Sequence, residues 1–226
     1  MIELKGISKN FPSKNVLDSI NLKLENSRVY GLFGPNGTGK TTLLKIMSGY
    51  LKQTRGEYLI DGEPFTYRDK DFITFISDRE IFYSWMKVKD AIKYYKDFFT
   101  DFNEEKCREL VSNMELKEED RINVLSKGMK ARLKVALSIS RAAKIYLLDE
   151  PLGGLDPVSR KIILSNIKNL MNQDGTLIIT SHLVNDVAGI IDHVLFLSAG
   201  RIIKDVSKDS LDLETKKLED HYLEAY

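Results

Sequence analysis

The sequence is short of several things, and each shortage excludes a class of protein. A single cysteine, Cys107, leaves no partner for an intrachain disulfide and no cysteine cluster for a metal. It is expected to pack as a small apolar residue or to sit inert on a helix. No apolar run approaches the ~20 residues of a membrane-spanning helix, so if the protein works at a membrane, another chain does the spanning. The start, MIELKGISKNF, has no apolar core of signal-peptide length. Charge of one sign is missing too: 34 Lys and Arg against 33 Asp and Glu leave a formal net charge of +1. No nucleic-acid partner is expected from that balance, and no bulk attraction to anionic lipid. Internal repeats and low-complexity linkers are absent. What remains is ordinary for a folded domain, 42% hydrophobic and 30% charged. The length suits one large domain, or one domain with a sizeable insertion.

The first thirty residues read as strands and turns. Phe11-Pro12-Ser13-Lys14-Asn15 reads as a turn, and Ile20 to Leu24 alternates apolar and polar with period two. Val29 to Phe33 is a short apolar run, which predicts a buried strand. A glycine-rich turn and the helix-like Thr41 to Met47 follow, and Tyr58 to Gly62 reads as a hairpin end. From about Phe82 to Val124 the chain turns aromatic and charged, with helical spacing through Val88, Ile92 and Tyr95 and again through Leu110 and Met114. That stretch predicts an inserted helical subdomain. Ile145 to Leu148 and Thr176 to Thr180 are further buried strands, each preceded by a helix-like stretch. Strands alternating with helices predict an α/β core with a largely parallel sheet. His193 to Arg201 predicts a late hairpin, and 210–226 a surface helix.

Gly34-Pro35-Asn36-Gly37-Thr38-Gly39-Lys40-Thr41 fits G-x-x-x-x-G-K-[ST] and lies between a predicted strand and a predicted helix. Glycines let backbone N–H groups turn inward around phosphate oxygens, where a Cβ would obstruct the curve. The helix N-terminus places its partial positive charge beneath them. The candidate phosphate-binding residues are therefore Asn36, Gly37, Thr38, Gly39, Lys40, Thr41 and Thr42. Lys40 is expected to reach the β- and γ-phosphates, and the Thr41 hydroxyl to ligate Mg²⁺. A phosphate loop alone leaves kinases, GTPases and many ATPases open.

Four further elements follow in order. Leu125-Ser126-Lys127-Gly128-Met129 opens a helix-like stretch and resembles the signature sequence of the ABC ATPases. Ile145 to Pro151 resembles their Walker B strand, Gly153-Gly154-Leu155-Asp156 their D-loop, and Thr180-Ser181-His182 their switch histidine. Phe11 stands where that family sets an aromatic ring against adenine, with Val16 close behind. The resemblance runs from Ile2 to about Arg201 and implies an ABC transporter ATP-binding subunit. The implied fold is a P-loop core with a mainly parallel sheet, an antiparallel β edge subdomain and the helical insertion.

Each element also has a plainer reading. Phe11 is either core or an adenine platform. Ser126 and Gly128 form an ordinary helix N-cap, an anion site, or both. Asp149 ends an apolar strand, where a lone carboxylate is costly unless paired or metal-linked, and the resemblance makes it a Mg²⁺ residue. Glu150 can polarise the attacking water as general base. His182 is a γ-phosphate sensor or a structural imidazole. Asp156 is a turn former before Pro157 or a contact across a dimer interface.

Three positions depart from the family pattern. Phe75-Ile76-Ser77-Asp78-Arg79 places Asp78 where a glutamine is usual. A carboxylate there still binds Mg²⁺ or its water but repels a γ-phosphate unless the metal intervenes. Lys127 and Met129 replace glycine and glutamine, and Lys127 either adds a cation near the phosphates or points to solvent. Activity is expected to survive, since Lys40, Asp149, Glu150 and His182 are all present.

The apolar Ile81 to Met86 either packs inside the helical subdomain or, as the resemblance implies, receives a membrane subunit with Trp85 and Met86 as contacts. The resemblance further implies ATP hydrolysis with Mg²⁺ in a two-subunit sandwich, as a homodimer or with a second ABC ATPase subunit. A cytoplasmic location, peripheral on the inner face of the membrane, is expected. So is an exporter partner, because the chain ends soon after the core without a C-terminal regulatory domain. Two rivals are a soluble non-transport ABC ATPase and an ATP-sensing regulatory module with little turnover.

Overall fold

A computed structural model describes residues 1–77, 82–170, 174–211 and 218–224. The N-terminal strands β1 (Ile2–Phe11) and β2 (Lys14–Leu24) pair antiparallel around the predicted turn. Their alternating apolar residues, Ile2, Leu4, Ile7, Leu17, Ile20, Leu22 and Leu24, are all buried. β3 (Val29–Phe33) is buried throughout and runs through the glycine-rich turn into α1 (Lys40–Met47). β4 (Arg55–Ile60) returns through Asp61 and Gly62, both at positive φ (54° and 87°), to the short β5 (Glu63–Pro64). This is the two-residue hairpin turn that left-handed residues favour. β6 (Ile73–Ile76) then precedes the helices α2 (Val88–Phe98), α3 (Glu104–Asn113) and α4 (Lys127–Ile139). Next come β7 (Ile145–Leu148), α5 (Pro157–Leu170), β8 (Thr176–Thr180) and α6 (Val184–Val187). The hairpin β9 (His193–Ser198) and β10 (Arg201–Ser207) follows, and α7 (Leu218–Glu224) ends the described chain.

Two sheets result. One is antiparallel in the order β2-β1-β4-β5; the other runs β10-β9-β3-β8-β7-β6. In the second, β9, β3, β8, β7 and β6 are mutually parallel and only the edge strand β10 is antiparallel. Because β8 lies between β3 and β7, the segments after these three strands emerge side by side at one edge. Ligands of open α/β sheets bind at such carboxyl ends.

α2 and α3 fall within the stretch 82–124, yet they have no core of their own. Val88, Ile92, Cys107 and Val111 join one continuous apolar cluster with Phe33, Leu148 and Phe196. Arg141 strengthens the join. Its buried guanidinium pairs with Asp101 at 2.9 Å, donates to the Ile73 carbonyl at 3.1 Å and lies 4.0 Å from the Phe99 ring centroid. Cys107 is buried on α3, and burial pushes its thiol up to about 12.

Two expectations need correction. Met86 is no surface contact: it is 5% exposed and sits in the same core cluster, where an unbranched thioether fills gaps readily. Of the helix expected over 210–226, Leu218–Glu224 is helical, while 212–217 and 225–226 lie outside the described residues. Nor is it purely a surface element. Leu218 is buried, and the Tyr222 ring lies 6.0 Å from that of Phe196.

Candidate nucleotide site

The phosphate loop follows β3 directly. Gly37 and Gly39 hold φ of 79° and 112°, conformations that residues with a Cβ rarely adopt. A Cβ on Gly39 would lie 2.7 Å from Leu17 Cδ2 and 3.0 Å from the Val16 carbonyl oxygen, so the loop packs directly on β2. Around Gly37, by contrast, a Cβ would meet nothing within 4 Å, which leaves room on the cleft side. Lys40 is buried, and its ammonium donates to the carbonyls of Gly34 at 2.6 Å and Pro35 at 3.2 Å. Burial lowers its pKa, while the nearby Glu150 and Asp149 carboxylates pull it back up.

Asp149 and Glu150 follow β7. Asp149 is buried and its Oδ1 accepts from Thr180 Oγ1 at 2.9 Å, the pairing that such a carboxylate requires. Glu150 has φ of 49°, unusual for a residue with a side chain, and its backbone N–H donates to Thr180 Oγ1 at 2.8 Å. Its Oε2 accepts the His182 backbone N–H at 3.2 Å. His182 Nε2 lies 3.1 Å from Oε1, an ion-pair separation without hydrogen-bond alignment. Oε1 is therefore a buried acceptor with no hydrogen-bond partner among the described residues. Burial raises the Glu150 pKa, and His182 and Lys40 counter it. A carboxylate with a raised pKa and one oxygen free of hydrogen bonds is the electrostatic profile of a general base.

Lys14, Val16, Asn36, Thr41, Glu150 and His182 share a cleft of about 300 Å³, also lined by Gly37, Gly39, Lys40 and Thr42. Thr38 belongs to the loop, and its hydroxyl donates to the Pro35 carbonyl at 2.9 Å. Phe11 is not core: it is exposed at the β1–β2 turn, and the Lys9 ammonium sits 5.1 Å from its ring centroid. It does not line the cleft in this conformation. Asp78 lies outside the described residues.

The signature residues form a second cluster. Ser126 caps α4 by accepting the Met129 N–H at 3.2 Å. Asp156 takes the capping position before Pro157, its two oxygens accepting Ser159 N–H at 2.9 Å and Ser159 Oγ at 2.6 Å. Those bonds hold its carboxyl below the usual range. Arg132, buried, joins Ser159 Oγ at 2.8 Å to the Met114 carbonyl at 3.1 Å, which ties α5 to the end of α3. Lys127 stays exposed, but a Cβ on Gly154 would lie 2.5 Å from its Nζ. Its ammonium thus rests on the D-loop of its own chain.

A Cβ on Gly128 would lie 2.6 Å from Ser159 Oγ, which Arg132 and Asp156 hold in place. Helix propensity alone would make Gly128→Ala stabilising by up to ~1 kcal/mol. Overpacking costs ~1–3 kcal/mol and should win. Urea denaturation is expected to show a net loss of stability for Gly128→Ala; a gain would mean that Ser159 moves freely.

Sequence alone gives no role to Thr180, Arg132, Ser159 or Lys14. Thr180 reads in sequence as one more β-branched strand residue, and its hydroxyl contacts depend on a register between strands 31 residues apart. Lys14 reads as a turn residue.

A family model described as ABC transporter matches residues 17–153. The chain belongs to the ABC transporter family. An uncharacterised ABC transporter ATP-binding protein of Bacillus subtilis, YdbJ, is 31% identical over 226 residues, covering 96% of this chain and 72% of its own. The lantibiotic transport ATP-binding protein SrtF of Streptococcus pyogenes is 28% identical, with 92% of each chain covered. Among solved structures, the dimeric post-hydrolysis state of an ATP-binding cassette bound to ADP and Pi superposes with a TM-score of 0.81. That alignment covers 93% of this chain and all of the other at 21% identity, and so bears on the fold. The present chain is thus an ATP-binding subunit of an ABC transporter, with the ATPase fold and activity of that family.

Proposed function

We propose that this subunit hydrolyses ATP between two cassettes and so drives a separate membrane-spanning protein, as an exporter motor peripheral to the inner face of the membrane. Lys40 leaves the Gly34 and Pro35 carbonyls and takes the β- and γ-phosphates, which the loop N–H groups cradle. Glu150 Oε1, buried and free of hydrogen bonds among the described residues, accepts the proton of the attacking water, and His182 steadies the same carboxylate through its backbone N–H and its nearby ring. The partner cassette presents its Ser126, Gly128 and Asp156 segment to the γ-phosphate; that cassette is a second copy or a relative. Phe11 and Val16 take the adenine. Mg²⁺ fits the donor set, a Thr41 hydroxyl and a buried Asp149 carboxylate whose Oδ1 is already oriented, with Asp78 as a further candidate. A few hard oxygens plus phosphates are what this ion prefers. When bound, it would neutralise charge that develops between the β- and γ-phosphates.

The observation that carries the motor reading is a groove of about 530 Å³ between the sheet edge and α2, walled by Tyr50, Tyr67, Phe82, Tyr83, Tyr94 and Phe99. Tyr83 stacks on Trp85 at its rim, ring centroids 6.0 Å apart and 11° from parallel, with Trp85 66% exposed. Exposed aromatics concentrated in one groove suit a protein contact. Transport by relatives such as SrtF supports the same role.

Trp85→Ala tests it. The melting curve of the isolated chain should move by no more than a surface substitution does, about 0.5 kcal/mol. Its basal ATPase should persist, while transport with the membrane subunit should fall. A stability loss of ~3–5 kcal/mol would put the ring in the core and defeat the docking reading.

A further inference from the structure

Thr180 closes the central strand β8 and is fully buried, yet no step above uses its side chain. The three residues before it, Leu177, Ile178 and Ile179, are buried and apolar, and valine would fill the same shape as threonine. A buried hydroxyl is costly unless both its donor and its acceptor functions are met. Here both are met by the two catalytic-side carboxylate residues: Oγ1 donates to Asp149 Oδ1 at 2.9 Å and accepts the Glu150 N–H at 2.8 Å.

Register explains the meeting. β7 and β8 are parallel with Leu148 opposite Ile179, so the next residue on each strand brings Asp149 beside Thr180. Glu150 then turns back with φ of 49°, a conformation that persists only where the surroundings over-determine it. The Thr180 bond to its N–H is one such constraint, and the turn aims the Glu150 carboxylate at the His182 N–H, 3.2 Å away.

We infer that Thr180 is a positioning residue for hydrolysis. Its hydroxyl sets the orientation of the Asp149 carboxylate and the backbone turn that aims Glu150, and it ties both to the strand that leads into His182. The inference rests on the site reading above, in which Asp149 serves the metal and Glu150 the water.

Thr180→Val removes the hydroxyl at constant shape, and Thr180→Ser keeps it while removing the methyl. For valine, kcat should fall ~10–100-fold, the effect of losing a hydrogen bond to a charged group, with KM for ATP within ~3-fold of wild type. Affinity for a fluorescent ATP analogue should lose part of its Mg²⁺ enhancement, measured with Mg²⁺ and with EDTA. Serine should restore kcat to within ~3-fold of wild type. Should valine prevent folding, as read from melting without nucleotide, Thr180→Ala against Thr180→Ser makes the same comparison. A hydroxyl-free variant that folds and keeps wild-type kcat overturns the inference, as does serine no better than valine or alanine. Wild-type turnover that disappears in Glu150→Gln is the control: if that control fails, the site reading is at fault rather than the role of Thr180.

Discussion

Glu150→Gln should leave ATP bound and lower its hydrolysis by ~10²–10⁴-fold, the usual contribution of a positioned acid–base group. Glutamine keeps the side chain's shape and its acceptor for the His182 N–H, which donates to Oε2 at 3.2 Å. It removes the charge at Oε1, the buried oxygen with no hydrogen-bond partner among the described residues. Lys40, Thr41 and Asp149 remain in place, so nucleotide affinity should stay near wild type. Trapped ATP should also hold two cassettes together. Light scattering after size exclusion is expected to show more dimer for the variant with Mg-ATP than with ADP, and less for wild type, which consumes its ATP. Phosphate release at the wild-type rate would place the base elsewhere.

The same substitution has a signature without nucleotide. Burial raises the Glu150 carboxyl above its ordinary 4.5, so the folded state keeps that proton to higher pH than the unfolded chain does. Stability contributed by the protonated form is therefore present at low pH and lost as pH rises through the raised value. Glutamine cannot ionise, and its melting temperature should depend less on pH across that interval.

Lys40→Ala should weaken ATP binding ~10–100-fold and reduce turnover ~10²–10³-fold. The first figure is the loss of a charge-assisted hydrogen bond to phosphate, the second that of a preorganised donor to developing charge. Two carboxylates share the vicinity of this ammonium, so its removal also takes a positive charge away from Asp149 and Glu150, the latter keeping His182 beside it. Alanine also removes the ammonium's bonds to the Gly34 and Pro35 carbonyls, while the positive φ of Gly37 and Gly39 and the packing on Leu17 remain to hold the loop. Titration with a fluorescent ATP analogue and steady-state phosphate release check the two halves separately. Wild-type turnover in this variant would remove the phosphate loop from the reaction.

Local pattern determined much of this protein. The period-two alternation of Ile20 to Leu24, the uniformly apolar Val29 to Phe33 and Ile145 to Leu148, and the helix-starting serine at 126 each declare an element within a few residues. Strand, glycine-rich turn and helix in immediate succession also declare the phosphate loop, because every part of that device is contiguous in the chain.

Contacts between distant segments are another matter, and only the tertiary structure decided them. Trp85 and Met86 are neighbours of similar apolar character, yet one is exposed and the other buried, because the choice depends on the helices packed beside them. Lys127 came to rest on Gly154 by the way α4 packs on α5, whereas the Asp156 cap, made to Ser159 three residues on, is a local device. Asp149 and Glu150 announce themselves as carboxylates, but which oxygen is left without a hydrogen bond was decided by Thr180 at the end of β8 and His182 just after it. Periodicity is read along one chain, whereas burial, pairing and electrostatic shift are sums over whatever the fold brings near.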